Sequence, residues 1–236
     1  DGIRVGDAEN TFAGLIGSYR EQFRKTGKMR TVWITEFGFT GFWFDGKNET
    51  GLYAGFTEEA QAVYLVRRFI EGLALPVAVS CQYDFIDDYD SNPATDEANF
   101  GILRADYSRK PAFYVLQRMN SLLAGAEPDP SLQLKVTKAA KIDAANGVRL
   151  AAFRQPDRPN ERMAAVWSMQ PYSGEFNTRP VSFEVGGLQD FTAMPVAIDM
   201  MTGESFDLPV KFENGKATVT ELPLGQTVLL IKFFRK

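Results

Sequence analysis

Histidine is absent from the 236 residues, and cysteine occurs once, at Cys81. Those two shortages exclude Ser-His-Asp and Cys-His catalysis, an intramolecular disulfide and the usual His-containing zinc sites. No apolar run reaches the roughly 18 residues a membrane-spanning helix needs. No secretory signal pattern is visible, and the chain begins with Asp rather than Met, which reads as a mature or truncated product. Basic residues do not cluster: 26 Lys and Arg stand against 30 Asp and Glu, for a net charge of -4, so nucleic acid is not an expected partner. No cofactor and no metal are expected. What remains for chemistry is carboxylates. The rest of the composition, 44% hydrophobic and 24% charged, is that of a globular chain with one large or two modest domains.

The stretch that organises the chain is Thr31-Val-Trp-Ile-Thr-Glu-Phe-Gly-Phe-Thr40. Its β-branched and aromatic residues predict a short buried strand over Thr31–Thr35, with Glu36 where it runs out and a break at Gly38. Period-2 alternation places Glu36 on one face with Val32 and Ile34, and Trp33 with Thr35 on the other. A carboxylate at the tip of an apolar strand needs a salt bridge, solvent or a task, because an unpaired buried charge is costly. Phe37, Phe39, Phe42, Trp43 and Phe44 crowd the residues just beyond it. Each can be ordinary core. Together, aromatic rings around a carboxylate also suit a pyranose, whose apolar faces stack on rings while its hydroxyls take polar partners.

Thr35-Glu-Phe-Gly38 after a strand resembles the seventh strand of the retaining (β/α)8 glycoside hydrolases, the clan that includes cellulase- and xylosidase-type families. The segments that follow are similar to that clan in the same order. They are a helix, the strand Val77-Ala-Val-Ser-Cys-Gln-Tyr-Asp-Phe85, the run Asn99-Phe-Gly-Ile-Leu103, and Arg109-Lys-Pro-Ala-Phe113 opening a helix. The resemblance covers about residues 1 to 125. It implies that Glu36 is the catalytic nucleophile and that Phe37, Phe39, Trp43, Tyr83 and Asp84 line the sugar subsite. Clan members commonly carry a Trp at the tip of the eighth strand, where this chain has Gln82-Tyr83-Asp84. Tyr83 is then the platform or a hydrogen-bond partner of Glu36, and Asp84 binds sugar or orients Glu36. Asn48-Glu49 resembles the clan's acid/base pair in type, but it lies after the seventh strand instead of ending the fourth, and reads as a solvated loop pair.

Elsewhere the chain is punctuated clearly. Residues 1–10 read as loop, and Phe12, Leu15, Ile16, Tyr19 and Phe23 recur at helical spacing up to Gly27. Thr57 is placed to cap a second helix, with Glu58 and Glu59 in its first turn and Val63, Val66, Ile70 and Leu73 as its buried stripe. Helix between two β-rich segments is the βαβ pattern of parallel strands. Cys81 reads as a small core residue. Asp87, Asp88 and Asp90 lack the spacing of a calcium loop and read as a solvated acidic loop. Pro111 opens a third helix, with Ala112, Val115, Leu116, Met119 and Leu123 inward.

Near Glu127-Pro-Asp-Pro130 the period changes from helical to alternating. Strands are expected over 132–138, 147–154, 162–168, 180–185, 195–199, 204–208, 216–221 and 227–234, with turns at Asn146-Gly147, Gly186-Gly187, Thr202-Gly203 and Asn214-Gly215. The expected fold is therefore α/β plus all-β. Residues 1–127 form a partial (β/α)8 TIM barrel, its last two strands with their helices, and residues 128–236 form an antiparallel β-sandwich. Trp167 and Tyr172 are the aromatics of that second part to examine for sugar binding, Trp167 reading as core.

Two functions are compatible with these features. The first is the C-terminal part of a glycosidase that hydrolyses O-glycosidic bonds with retention, its acid/base and its missing N-terminal barrel strands outside this chain. The substrate would be an oligo- or polysaccharide, met outside the cytoplasm in an extracellular or periplasmic space. The second is a noncatalytic carbohydrate-binding or assembly module. Under either, the chain alone is expected to show little hydrolase activity, because retention needs two carboxyl groups about 5–5.5 Å apart and no second Glu ends a barrel-like strand.

Overall fold

The structure, a computed structural model, describes residues 2–28, 30–42, 56–75, 77–88, 95, 97–139, 147–172, 174 and 178–236, with backbone only for residues 2–11. It separates into two compact units, Asp1–Met119 with Tyr172–Gly174, and Asn120–Pro171 with Glu175–Lys236.

The first unit is built from helix α1 (Gly2–Lys25), strand β1 (Trp33–Phe37), helix α2 (Glu58–Ala74), strand β2 (Val79–Gln82), a 3-10 turn (Glu97–Asn99) and most of helix α3 (Pro111–Leu123). Residues 2–10, expected as loop, are helical. A glycine inside a helix costs about 1 kcal/mol, and extending an existing helix is cheap compared with starting one, so Gly2 and Gly6 do not break it. Gly27, at φ +69°, ends α1 in the left-handed conformation. Phe12 and Ile16 are buried, and the Arg68 guanidinium lies 4.0 Å from the Phe12 ring centroid. Leu15 and Tyr19 are exposed, so the apolar stripe of α1 is only partly covered.

Thr57 caps α2 as its position foretold: its hydroxyl accepts from the Ala60 N–H at 3.2 Å, and Glu58 and Glu59 follow at the positive end of the helix dipole. Replacing Thr57 by Ala should cost about 1 kcal/mol in urea denaturation, with Thr57→Ser close to wild type.

β1 and β2 pair in parallel, with Trp33 opposite Val79 and Ile34 opposite Ser80. The side of this pair that faces α2 is packed: the Phe37 and Phe69 rings meet edge-on at 5.1 Å. The opposite side is open. Trp33 is 63% exposed, and Cys81 is exposed as well. This corrects two expectations, a wholly buried β1 and a core Cys81. Alternation hides one face of a strand only when something covers that face, and among the described residues nothing covers this one. The described residues do not close a barrel.

The second unit begins with strand β3 (Glu127–Pro128), followed by β4 (Gln133–Ala139), β5 (Val148–Arg154), β6 (Glu161–Ser168), β7 (Arg179–Gly186) and β8 (Val196–Asp199). It ends with β9 (Ser205–Asp207), β10 (Lys211–Glu213), β11 (Lys216–Leu224) and β12 (Leu229–Phe234). They form two antiparallel sheets, one ordered β10-β11-β7-β4 and the other β3-β5-β6-β12-β8-β9. One buried apolar cluster draws on both sheets, with Val181, Phe183 and Val219 from the first and Val166, Ile231 and Phe233 from the second. Asn214 and Gly215 both have positive φ, 51° and 72°, the conformation an Asn-Gly hairpin turn needs between β10 and β11. Trp167 is 2% exposed, which removes it as a sugar platform.

Candidate active site

The residues singled out in the sequence gather at the C-terminal ends of β1 and β2, as far as they are described. Between the pairs Ile34–Ser80 and Phe37–Gln82, β1 has two residues, Thr35 and Glu36, where β2 has only Cys81. That extra residue is a β-bulge, and it re-aims the side chain that follows it. Glu36 is consequently exposed, along with Trp33 and Thr35, and does not share the fate of Val32 and Ile34. Simple alternation had put it with Val32 and Ile34. One inserted residue shifts the phase by one and moves the carboxylate to the other face.

Past the bulge the two chains stay close. The Tyr83 N–H donates to Phe37 O at 2.7 Å. Gly38 makes this possible, since a Cβ there would lie 2.1 Å from Tyr83 O and 2.8 Å from the Phe100 ring. This is the physical content of the Glu-Phe-Gly motif: the glycine lets the backbone after Glu36 lie against the backbone of Tyr83. The Tyr83–Asp84 peptide bond is cis.

Tyr83 is 36% exposed, and its ring meets Phe100 edge-on at 5.6 Å. Its phenol is pushed above the usual tyrosine value, first by partial desolvation and then by the carboxylates of Glu97, Asp84, Asp88 and Glu36. Glu36 and Tyr83 thus belong to one electrostatic neighbourhood. Because the folded value exceeds the unfolded one, the associated stability is present below about pH 10 and is lost as pH rises through the folded value. A ¹³Cζ titration of Tyr83 should give a midpoint above 10, and Glu97→Gln should lower it. A midpoint at or below 10 in the wild type would contradict the acidic surround.

The remaining sequence candidates are placed as follows. Phe37 lies against Phe69 of α2, and Phe39 against Phe56 and Tyr64 at 6.1 and 5.5 Å, so both rings are engaged in packing on the α2 side. Asp84 is half-buried, and one of its carboxylate oxygens accepts from the Phe85 N–H. Trp43 and the pair Asn48-Glu49 lie outside the described residues, as does Asp90. The Tyr172 N–H donates to the Tyr64 hydroxyl at 2.8 Å, and burial and Glu59 raise the Tyr172 phenol.

Asp87 is not the solvated loop residue that an acidic run suggests. It is 8% exposed, and its Oδ1 accepts from Lys110 Nζ at 2.7 Å and from the Gly101 N–H at 2.9 Å. Lys110 is 1% exposed and donates also to Asn99 O at 3.1 Å, a carbonyl that accepts from the Gly41 N–H at 2.8 Å. Burial pushes the Asp87 carboxyl up, and Lys110 opposes it. Gln61 of α2, fully buried, holds its Nε2 within 2.8 Å of Phe39 O and 3.2 Å of both Phe100 O and Gly101 O. Phe100 O also accepts from the Asp84 N–H and from Gln82 Nε2, both at 3.1 Å. Sequence reasoning missed Gln61 and Lys110 as supports of this site. A Gln on the buried face of a helix and a Lys beside a helix-opening Pro were the available signals. Among the described residues, no group of three His, Cys, Asp or Glu is arranged to hold a metal.

No protein-family model and no curated protein matches the chain. Solved structures do. A family 39 glycoside hydrolase from the gut symbiont Bacteroides cellulosilyticus WH2 aligns over 95% of this chain and 38% of its own, at 22% identity and a TM-score of 0.55. AbfB, a family 51 alpha-L-arabinofuranosidase from Bifidobacterium longum, aligns over 98% of this chain and 49% of its own, at 12% identity and a TM-score of 0.53. Another glycoside hydrolase aligns over 96% and 47%, at 13% identity and a TM-score of 0.50. The chain has the fold of part of a glycoside hydrolase. It spans less than half the length of each of these three proteins. The resemblance read from Thr35-Glu-Phe-Gly38 and the segments after it is thereby met at the level of the fold. No helix among the described residues is long and apolar enough to cross a membrane.

Proposed function

We propose that this chain is the C-terminal part of a retaining glycosidase, with Glu36 as its nucleophile. Residues 1–127 supply the last two strands and helices of a (β/α)8 barrel, and residues 128–236 an accessory β-sandwich. The observation that carries the reading is the bulge at Thr35-Glu36. It delivers a carboxylate to the open side of a parallel strand pair, beside Tyr83, at the strand ends where such barrels do their chemistry. The shared fold supports it, as does the uncovered side that carries Trp33 and Cys81, which further barrel strands would bury.

In this reading Glu36 attacks the anomeric carbon while an acid outside the chain protonates the departing oxygen. The same group then takes a proton from water as that water displaces Glu36. Tyr83 and Asp84 contact the sugar or orient Glu36. Phe37 and Phe39 back the site from the α2 side, and Trp43 belongs to the segment beyond it. The substrate is an oligo- or polysaccharide met outside the cytoplasm, and the isolated chain turns over little of it. The test is a mechanism-based fluoroglycoside applied to a protein that contains this chain and a complete barrel. A covalent sugar on the Glu36 peptide is expected. Labelling elsewhere, or sugar binding with no labelling at all, would overturn the assignment.

A further inference from the structure

In the first unit Lys110 and Asp87 form a buried ion pair whose bonds tie the turn after β2 to the 99–103 run. Asp87 follows β2 by five positions and ends the turn that carries Tyr83, Asp84 and Phe85. The Asp87 N–H donates to Leu103 O at 2.9 Å, and Asp87 Oδ1 accepts from Lys110 Nζ and the Gly101 N–H. Lys110 Nζ reaches Asn99 O, which also takes the Gly41 N–H of the segment after β1. Lys110 Nζ therefore joins the turn after β2 to the 99–103 run, and the Asn99 carbonyl joins that run to the segment after β1. Gly101 lies in the middle of this arrangement, and a Cβ on it would sit 2.2 Å from Asp87 N and 2.3 Å from Ile86 C. A buried pair of this kind is seldom a strong source of net stability, because desolvation of both charges offsets their attraction. Such pairs are better attested as devices that select one arrangement over others.

We infer that Lys110 is a positioning residue for the site. Its bonds to Asp87 and Asn99 hold the Tyr83–Asp84 turn against the strand end that carries Glu36. The inference takes its importance from the proposed role of Glu36, but the positional claim can be tested without any activity.

Tyr83 reports on it. Its phenol is raised by desolvation and by Glu97, Asp84, Asp88 and Glu36, and of these the desolvation, Glu97 and Glu36 depend on where the turn lies. Two effects of losing Lys110 have opposite signs. Removing a cation, with the structure unchanged, would raise the phenol further. Releasing the turn would hydrate Tyr83 and separate it from Glu97 and Glu36, which lie on other elements, and so lower it toward its ordinary value of about 10. The experiment is a ¹³Cζ titration of Tyr83 in the whole chain for the wild type, Lys110→Met and the double variant Asp87→Asn/Lys110→Met. The double variant leaves no uncompensated charge buried and keeps the test alive if the single variant does not fold. A Tyr83 midpoint that falls in either folded variant, with loss of Gly101 amide protection, supports the inference. A midpoint that stays at the wild-type value or rises in a folded variant overturns it. Fluoroglycoside labelling of Glu36 is a separate readout. Its absence in the wild type would sink the glycosidase reading and leave the positional result intact.

Discussion

Glu36→Gln is expected to lower kcat on the order of 10⁴-fold or more, in a protein that contains this chain and a complete barrel, as loss of a covalent nucleophile does elsewhere. The substitution keeps the volume and the two heavy-atom positions of the carboxylate and removes its charge and nucleophilicity. Because Glu36 is exposed at a strand end, the fold should hardly register the change, within about 0.5 kcal/mol. An activated aryl glycoside is the substrate to use, since a good leaving group needs little protonation and so isolates the attack by Glu36 from the acid/base step. Activity within tenfold of the wild type would remove Glu36 from the reaction. Robust turnover by the isolated chain, abolished by the same substitution, would show instead that the second carboxyl group lies within these 236 residues.

Gly38→Ala should destabilise the first unit by about 3 kcal/mol, at the upper end for an overpacked site. The methyl group would meet Tyr83 O at 2.1 Å and Tyr83 C at 3.2 Å, and backbone held on both sides cannot yield as a flexible side chain can. The Phe100 ring, 2.8 Å away, closes the third direction. Relief requires that the β1 end and the Tyr83 turn move apart, so the same variant should lower the Tyr83 phenol titration. Gly14→Ala is the control. Nothing lies within 4 Å of its Cβ position, it sits inside α1, and alanine there should stabilise by roughly 0.5–1 kcal/mol. Urea denaturation followed by circular dichroism compares the two. Equal midpoints for Gly38→Ala and wild type would show that the strand end and the turn are not in close contact.

What the sequence by itself determined was local. Thr57 before two glutamates specifies a helix start through one hydroxyl and the helix dipole. Asn214-Gly215 specifies a tight hairpin because both positions need positive φ. Alternating apolar residues from 132 onward specify strands, and the helical period of Ala112, Val115, Leu116, Met119 and Leu123 specifies α3. Each of these is set by residues within one or two turns of one another. β3 and β10, two and three residues long, were too short to show a period and were not expected.

The tertiary structure decided what depends on distant partners. The face that Glu36 presents follows from a bulge in its pairing with β2, which no count along β1 alone contains. Asp87 is buried because Lys110, 23 residues later, brings a compensating charge to it. An acidic run without that partner would have stayed in water. Cys81 and Trp33 are exposed because an apolar strand face is buried only by another element, and the described residues provide none on that side. Local chemistry chooses the element, whereas the orientation and burial of the carboxylates that would do chemistry are set by pairings between segments far apart in the chain.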